Sequence, residues 1–143
     1  MKCTFWLFLV MALLAAGGTL EAQRVPQGPV IEIHRATIIA FYPPGSKGDE
    51  ADADADEALS DFQFYAERIK QPLSNAGIVL QVLYANSFRV CLGTGTITFH
   101  PKTRIGYYLV APGKKPHIEY GVMADSDLLL VAKRYFGSVS LSD

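Results

Sequence analysis

Ala36-Thr-Ile-Ile-Ala-Phe-Tyr42, closed by Pro43-Pro44-Gly45, is the stretch that decides the fold. A short, continuous apolar run rich in β-branched and aromatic residues, bounded by breakers, reads as a strand buried on both faces. From Leu59 the period changes. Leu59, Phe62, Ala66, Ile69 and Leu73 recur at three- and four-residue steps, which puts them on one side of a helix. Asp52, Asp54, Asp56 and Glu57 fall at or before its first turn, where carboxylates suit the positive end of the helix dipole and can cap free N–H groups. Pro72 is expected to end or kink the helix near its last turn, and Asn75-Ala-Gly77 supplies a stop. Ile78-Val-Leu-Gln-Val-Leu-Tyr84 is again strand-like. A helix between two buried strands is a βαβ unit, which predicts parallel strands and a right-handed crossover.

Upstream, Lys2 is followed by an uninterrupted apolar run from Phe5 to Ala16, then Gly17-Gly18 and a small-residue cleavage pattern at Leu20-Glu21-Ala22. That pattern reads as a secretory signal peptide over residues 1–22. The run is short for a membrane span, which needs about 20 residues; a retained N-terminal anchor is the alternative. The signal reading places the mature chain in the periplasm or outside the cell, with no stable membrane span. Residues 23–29 read as a polar, proline-containing lead, expected to be extended. Cys3 stands too early for a lipoprotein cysteine, so Cys91 is the only thiol expected after processing. One cysteine makes no internal disulfide, and stability must come from packing. A net charge of −1 leaves no footprint for nucleic acid or an anionic membrane.

Residues 30–137 read as a single domain. Val30, Ile31 and Ile33 suggest a first edge strand, with Glu32 and His34 alternating outward. Between Asn86 and Arg104, Phe88–Leu92 and Thr96–Phe99 read either as two strands around Gly93-Thr-Gly95, or with the first as a short irregular helix; the period does not choose. Ile105–Ala111 is apolar and aromatic. Pro112-Gly-Lys-Lys-Pro116 suits a turn between antiparallel strands, and the next segment places Ile118 and Tyr120 on one face. A final helix carries Leu128, Leu129, Val131, Ala132, Tyr135 and Phe136, with Asp125 or Ser126 as its cap, Lys133 and Arg134 in the last turn, and Gly137 after it. Residues 138–143 form a polar tail expected to be disordered.

This order (βαβ unit, connector, β-hairpin, C-terminal helix) is that of the thioredoxin fold, an α/β class with a mixed sheet. The segment from Gly106 to Phe136 resembles a thioredoxin C-terminal half, and Ile38–Tyr42 resembles the strand leading to that family's redox site. The resemblance implies a thioredoxin-like scaffold without the family chemistry. Where the family has Trp-Cys-x-x-Cys opening the helix, this chain has Pro43-Pro-Gly-Ser-Lys-Gly-Asp-Glu50 and an acidic run, with no cysteine. Dithiol exchange needs an attacking thiolate and a resolving thiol beside it. The family's cis-proline position falls near Thr103 or Arg104, and the nearest proline is Pro101.

The remaining candidates for chemistry are few. Alternating Asp52, Asp54 and Asp56 resemble the start of a calcium loop, but glutamate and glutamine stand where its sixth-position glycine and twelfth-position glutamate belong. They remain weak candidates for a divalent-ion site, or a solvated helix start. The same loop, with Pro43, Pro44, Asp49 and Glu50, occupies the place where thioredoxins meet their substrates, which makes it a candidate docking surface for a basic protein partner. Cys91, flanked by Val90 and Leu92, reads as a buried small apolar residue with Arg89 on the other side of the strand, a reactive thiol being the alternative. His34, His100 and His117 lack ligand spacing. Gly93-Thr-Gly95 is too short for a phosphate loop, and no nucleophile elbow occurs. Tyr42, Tyr107, Tyr108 and Tyr120 fit either a groove or the sheet faces. No cofactor motif is present. The reading is an exported, non-catalytic, thioredoxin-like binding or scaffold protein; the alternatives are a single-cysteine redox protein acting through Cys91 and a divalent-ion-responsive protein acting through the acidic run.

Overall fold

A computed structural model describes residues 28–46 and 55–137. The stretch read as a signal peptide, the lead as far as Gln27, Asp49, Glu50, Asp52, Asp54 and the tail after Gly137 lie outside the described residues. In chain order the elements are β1 (Val30–Glu32), β2 (Thr37–Phe41), α1 (Ala55–Asn75), β3 (Val79–Leu83), β4 (Phe88–Cys91), β5 (Thr96–Phe99), β6 (Gly106–Val110), β7 (His117–Tyr120) and α2 (Asp125–Phe136). Among the described residues they make an α/β fold with two mixed sheets and two helices.

The four-stranded sheet has the order β3-β2-β6-β7. β2 pairs parallel to β3 and antiparallel to β6, and β6 pairs antiparallel to β7. The βαβ unit and the closing hairpin are therefore both present. The β6–β7 turn is closed by Lys114 N–H donating to the Ala111 carbonyl at 3.1 Å. β1, β4 and β5 make the second sheet, in the order β1-β4-β5. Of the two readings of residues 86–104, the strand pair is the observed one. Its turn is held by Leu92 N–H donating to the Gly95 carbonyl at 3.0 Å.

β2 is buried at every residue because each face has its own cover. Side chains alternate along a strand. Ile38, Ala40 and Tyr42 pack with Phe62, Ile69 and Leu73 of α1, Tyr107 and Leu109 of β6, and Leu128 and Ala132 of α2. Ile39 and Phe41 point the other way, against Ile31, Ile33, Phe88 and Val90 of the three-stranded sheet. The layers are thus helices, central sheet and second sheet. Rings interlock between the two sheets: Phe41, Phe88, Phe99 and Tyr108 lie with neighbouring centroids 5.1–5.9 Å apart. Contacts of that spacing add specific ring geometry to area burial.

Some local expectations hold and others need correction. β1 is an edge strand with Glu32 and His34 outward, as expected; Val30 is exposed with them, and Ile31 and Ile33 turn inward. Neither Asp125 nor Ser126 caps α2. The cap position is Ala124, with no side-chain cap bond. Asp125 begins the helix instead, its Oδ2 2.9 Å from Arg68 Nε on α1. α1, by contrast, ends at Asn75 with Pro72 in its last turn, as the sequence implies. The end of α2 is as expected: Gly137 has φ 90° and donates its N–H to the Lys133 carbonyl.

Candidate functional site

The chain leaves the buried end of β2 through Tyr42 and Pro43, turns at the exposed Pro44 and Gly45, and is pinned at Ser46. Ser46 donates from both its N–H (3.0 Å) and its hydroxyl (2.6 Å) to the Pro43 carbonyl. Tyr42 N–H donates to the Leu83 carbonyl at 2.8 Å and extends the parallel ladder by one rung. The Tyr42 ring packs on Phe62 and Tyr84, with centroids 5.5 and 6.4 Å away. Burial pushes the Tyr42 phenol above its ordinary range, and the negative charge of Asp56 adds to the effect. Asp56 itself is exposed in the first turn of α1.

Of the predicted docking residues, the structure thus gathers Pro43, Pro44 and Asp56 at the C-terminal end of the parallel pair. Pro43 is buried, and Pro44 and Asp56 face solvent. Asp49, Glu50, Asp52 and Asp54 lie outside the described residues. Tyr84, which the sequence reading did not single out, belongs to this end. It is 51% exposed, and its hydroxyl accepts from Gln63 Nε2 at 3.2 Å. Its only signal was position: it follows β3 just where Tyr42 follows β2.

Cys91 is a free thiol, but it is half-buried rather than buried. In β4, Phe88 and Val90 take the core, and Cys91 shares the opposite face with Arg89. Its register neighbours are Glu32 on β1 and Thr96 on β5. His34, His100 and His117 are exposed and separate. His34 lies 3.3 Å from Glu32, and His117 lies 2.7 Å from Glu119. Among the described residues no cluster of three or more His, Cys, Asp or Glu is placed to hold a metal ion, and no helix is long and apolar enough to cross a membrane.

The four tyrosines weighed as groove residues divide. Tyr42, Tyr107 and Tyr108 are core, and only Tyr120 is exposed. The Arg104 guanidinium lies 3.8 Å above the Tyr120 ring. Arg104 ends a tight turn in which Lys102 (φ 52°) and Thr103 (φ 63°) are both left-handed. For a β-branched threonine this is a strained conformation. All peptide bonds of the described residues are trans, Pro101 included.

Two grooves flank the four-stranded sheet. One, of about 370 Å³, runs between α1 and the β3 edge and is lined by Gln63, Ala66, Glu67, Val82 and Tyr84. The other, of about 270 Å³, lies between β7 and α2 and is lined by His117, Glu119, Val131, Arg134 and Tyr135. In the second, His117 stacks on Tyr135, whose hydroxyl donates to the Lys115 carbonyl at 2.8 Å. Comparison with protein-family models, with curated proteins and with solved structures finds no match.

Proposed function

We propose that this is an exported, non-catalytic binding module on a thioredoxin-like scaffold, whose protein partner docks on the surface from Pro43 to Asp56. The βαβ unit, the closing hairpin and the final helix support the scaffold reading. One observation carries the functional reading. At the end of the central strand, where the resemblance places a dithiol, stands a proline turn clamped by Ser46 on a buried aromatic base of Tyr42 and Phe62. That base presents Pro44, Asp56 and Tyr84 to solvent. A turn held in place before binding, as Ser46 holds the one at Pro43–Gly45, loses little entropy on association. The chain's remaining thiol in the described residues, Cys91, sits on the second sheet, away from this turn.

The carboxylates from Asp49 to Glu57 make the partner's complementary face basic. Changing Asp52, Asp54 and Asp56 together to Asn is expected to weaken partner binding and reduce its salt dependence, with the melting temperature unchanged. Loss of binding in step with loss of melting temperature would instead assign the carboxylates to folding and defeat the reading.

A further inference from the structure

We propose that the open edge of β3 pairs with the β3 of a second copy of this chain, joining two four-stranded sheets into one. Among the described residues β3 is an edge strand, bonded on one side to β2. In a parallel pair only alternate residues aim both N–H and C=O at the neighbour. Val79 N–H donates to the Ala36 carbonyl, and the Leu83 carbonyl accepts from Tyr42 N–H. The set bonded to β2 is therefore Val79, Gln81 and Leu83. Leu80 and Val82 direct their backbone groups to the open side.

The two edges of this sheet are not alike. β7 follows Pro116 and carries His117 and Glu119, devices that discourage edge-to-edge pairing. β3 reads Val-Leu-Gln-Val-Leu, with no charge and no proline. It is also self-complementary. An antiparallel two-fold centred on Gln81 pairs all of its residues at once: Leu80 with the second copy's Val82 in hydrogen-bonded rungs, Val79 with Leu83, and Gln81 with its own mate on the axis. Every such pair is apolar with apolar or amide with amide, so nothing in the strand rejects a like copy. The flank also leaves room for it. The groove of about 370 Å³ beside Val82 is walled by Ala66 and rimmed by Gln63 and Glu67. This is the side on which the second copy's Leu80 would enter, since Leu80 and Val82 both face the helix layer.

Light scattering on the purified chain at micromolar concentration is expected to give twice the chain mass that denaturing mass spectrometry gives for the same sample. Val82→Pro removes an N–H from the open side only, and Gln81→Lys sets two like charges on the axis. Each is expected to weaken self-association at least about tenfold, with circular dichroism and melting confirming a folded chain. A register test does not depend on either variant. With Cys3 and Cys91 changed to Ser, Gln81→Cys is expected to oxidise to a covalent dimer, because a non-hydrogen-bonded antiparallel pair brings Cα atoms to about 4.5 Å. Val79→Cys in the same background is expected to form no covalent dimer, because position 79 stands opposite position 83 of the second copy. A monomeric wild type, or a dimer that cross-links no faster through position 81 than through position 79, would overturn the proposal.

Discussion

Gly106 lies so close to β7 that a Cβ on it would stand 2.3 Å from the Glu119 carbonyl oxygen and 2.9 Å from Cζ of Phe41. The first of these neighbours is backbone and cannot rotate away. Gly106→Ala must therefore push β6 from β7 or displace the Phe41 ring from the inter-sheet core. We expect a loss of about 1–3 kcal/mol, the range for overpacking a well-filled interior, read from the denaturant midpoint at unchanged m-value.

The three-layer arrangement makes Phe41 and Phe62 equivalent in burial although they serve opposite faces of β2. Both are fully buried, whereas Phe64, next on α1, is 54% exposed. Phe41→Ala and Phe62→Ala should each cost about 3–5 kcal/mol. Phe64→Ala, which loses only surface contacts with Tyr65 and Arg68, should cost less than about 1 kcal/mol. Urea unfolding of the three variants checks this. A Phe41 cost as small as that of Phe64 would mean that the second sheet does not close over the first.

Alkaline pH should unfold the protein through its buried phenols. Burial raises the Tyr107 phenol above its ordinary value, and the hydrogen bond from Met123 N–H, which favours the ionised form, only partly opposes this. Tyr108 is raised as well, by burial first and then by its interaction with Tyr135. A pKa higher in the folded than in the unfolded state gives a contribution that is whole below the unfolded value, about 10. It is lost as the pH climbs through that value towards the folded one. Melting temperature should therefore hold to about pH 9 and fall beyond about 10. Tyr107→Phe should soften that fall while costing up to about 1 kcal/mol at neutral pH.

Cys91 offers a simple test of strand register. Half-buried beside Arg89, on the face away from the core, it should tolerate Cys91→Ala at a cost below about 1 kcal/mol. Its thiol should react with a maleimide in the folded chain. A thiol moved to the core side by Val90→Cys in a Cys91→Ala background should react only on unfolding.

The elements that carry a clear period were legible before the structure. β2 and β3 announced themselves as apolar runs, α1 by the step from Phe62 to Leu73, and α2 by its apolar face and the glycine after it. The uninterrupted burial of β2 implied a cover on each face but could not say what supplied the second one. That cover is β1, β4 and β5, strands of three or four residues, too short for alternation to separate them from a turn or a single helical turn. The placement of Cys91 in the core failed for a definite reason. Adjacent residues in a strand face opposite ways, so buried neighbours at Val90 argue against burial of Cys91. Asp125 was read as a cap because its side chain can serve as one, but the cross-helix contact to Arg68 is a tertiary competitor that no local pattern encodes. At the candidate site the proline turn and Asp56 were visible. Tyr84 was not, because its role comes from the parallel pairing that sets it beside Tyr42.

The measurement closest to the central claim is site-specific photocross-linking in the organism that makes the protein, with the photoreactive residue placed at Pro44, at Thr98 on the outer face of β5, or at Leu130 on the exposed side of α2. All three positions are exposed, so none requires the fold to yield. A binding module using the Pro43–Asp56 surface should give a discrete adduct from position 44 that disappears when Asp52, Asp54 and Asp56 are changed to Asn. Adducts from position 98 or 130 with none from position 44 would contradict it.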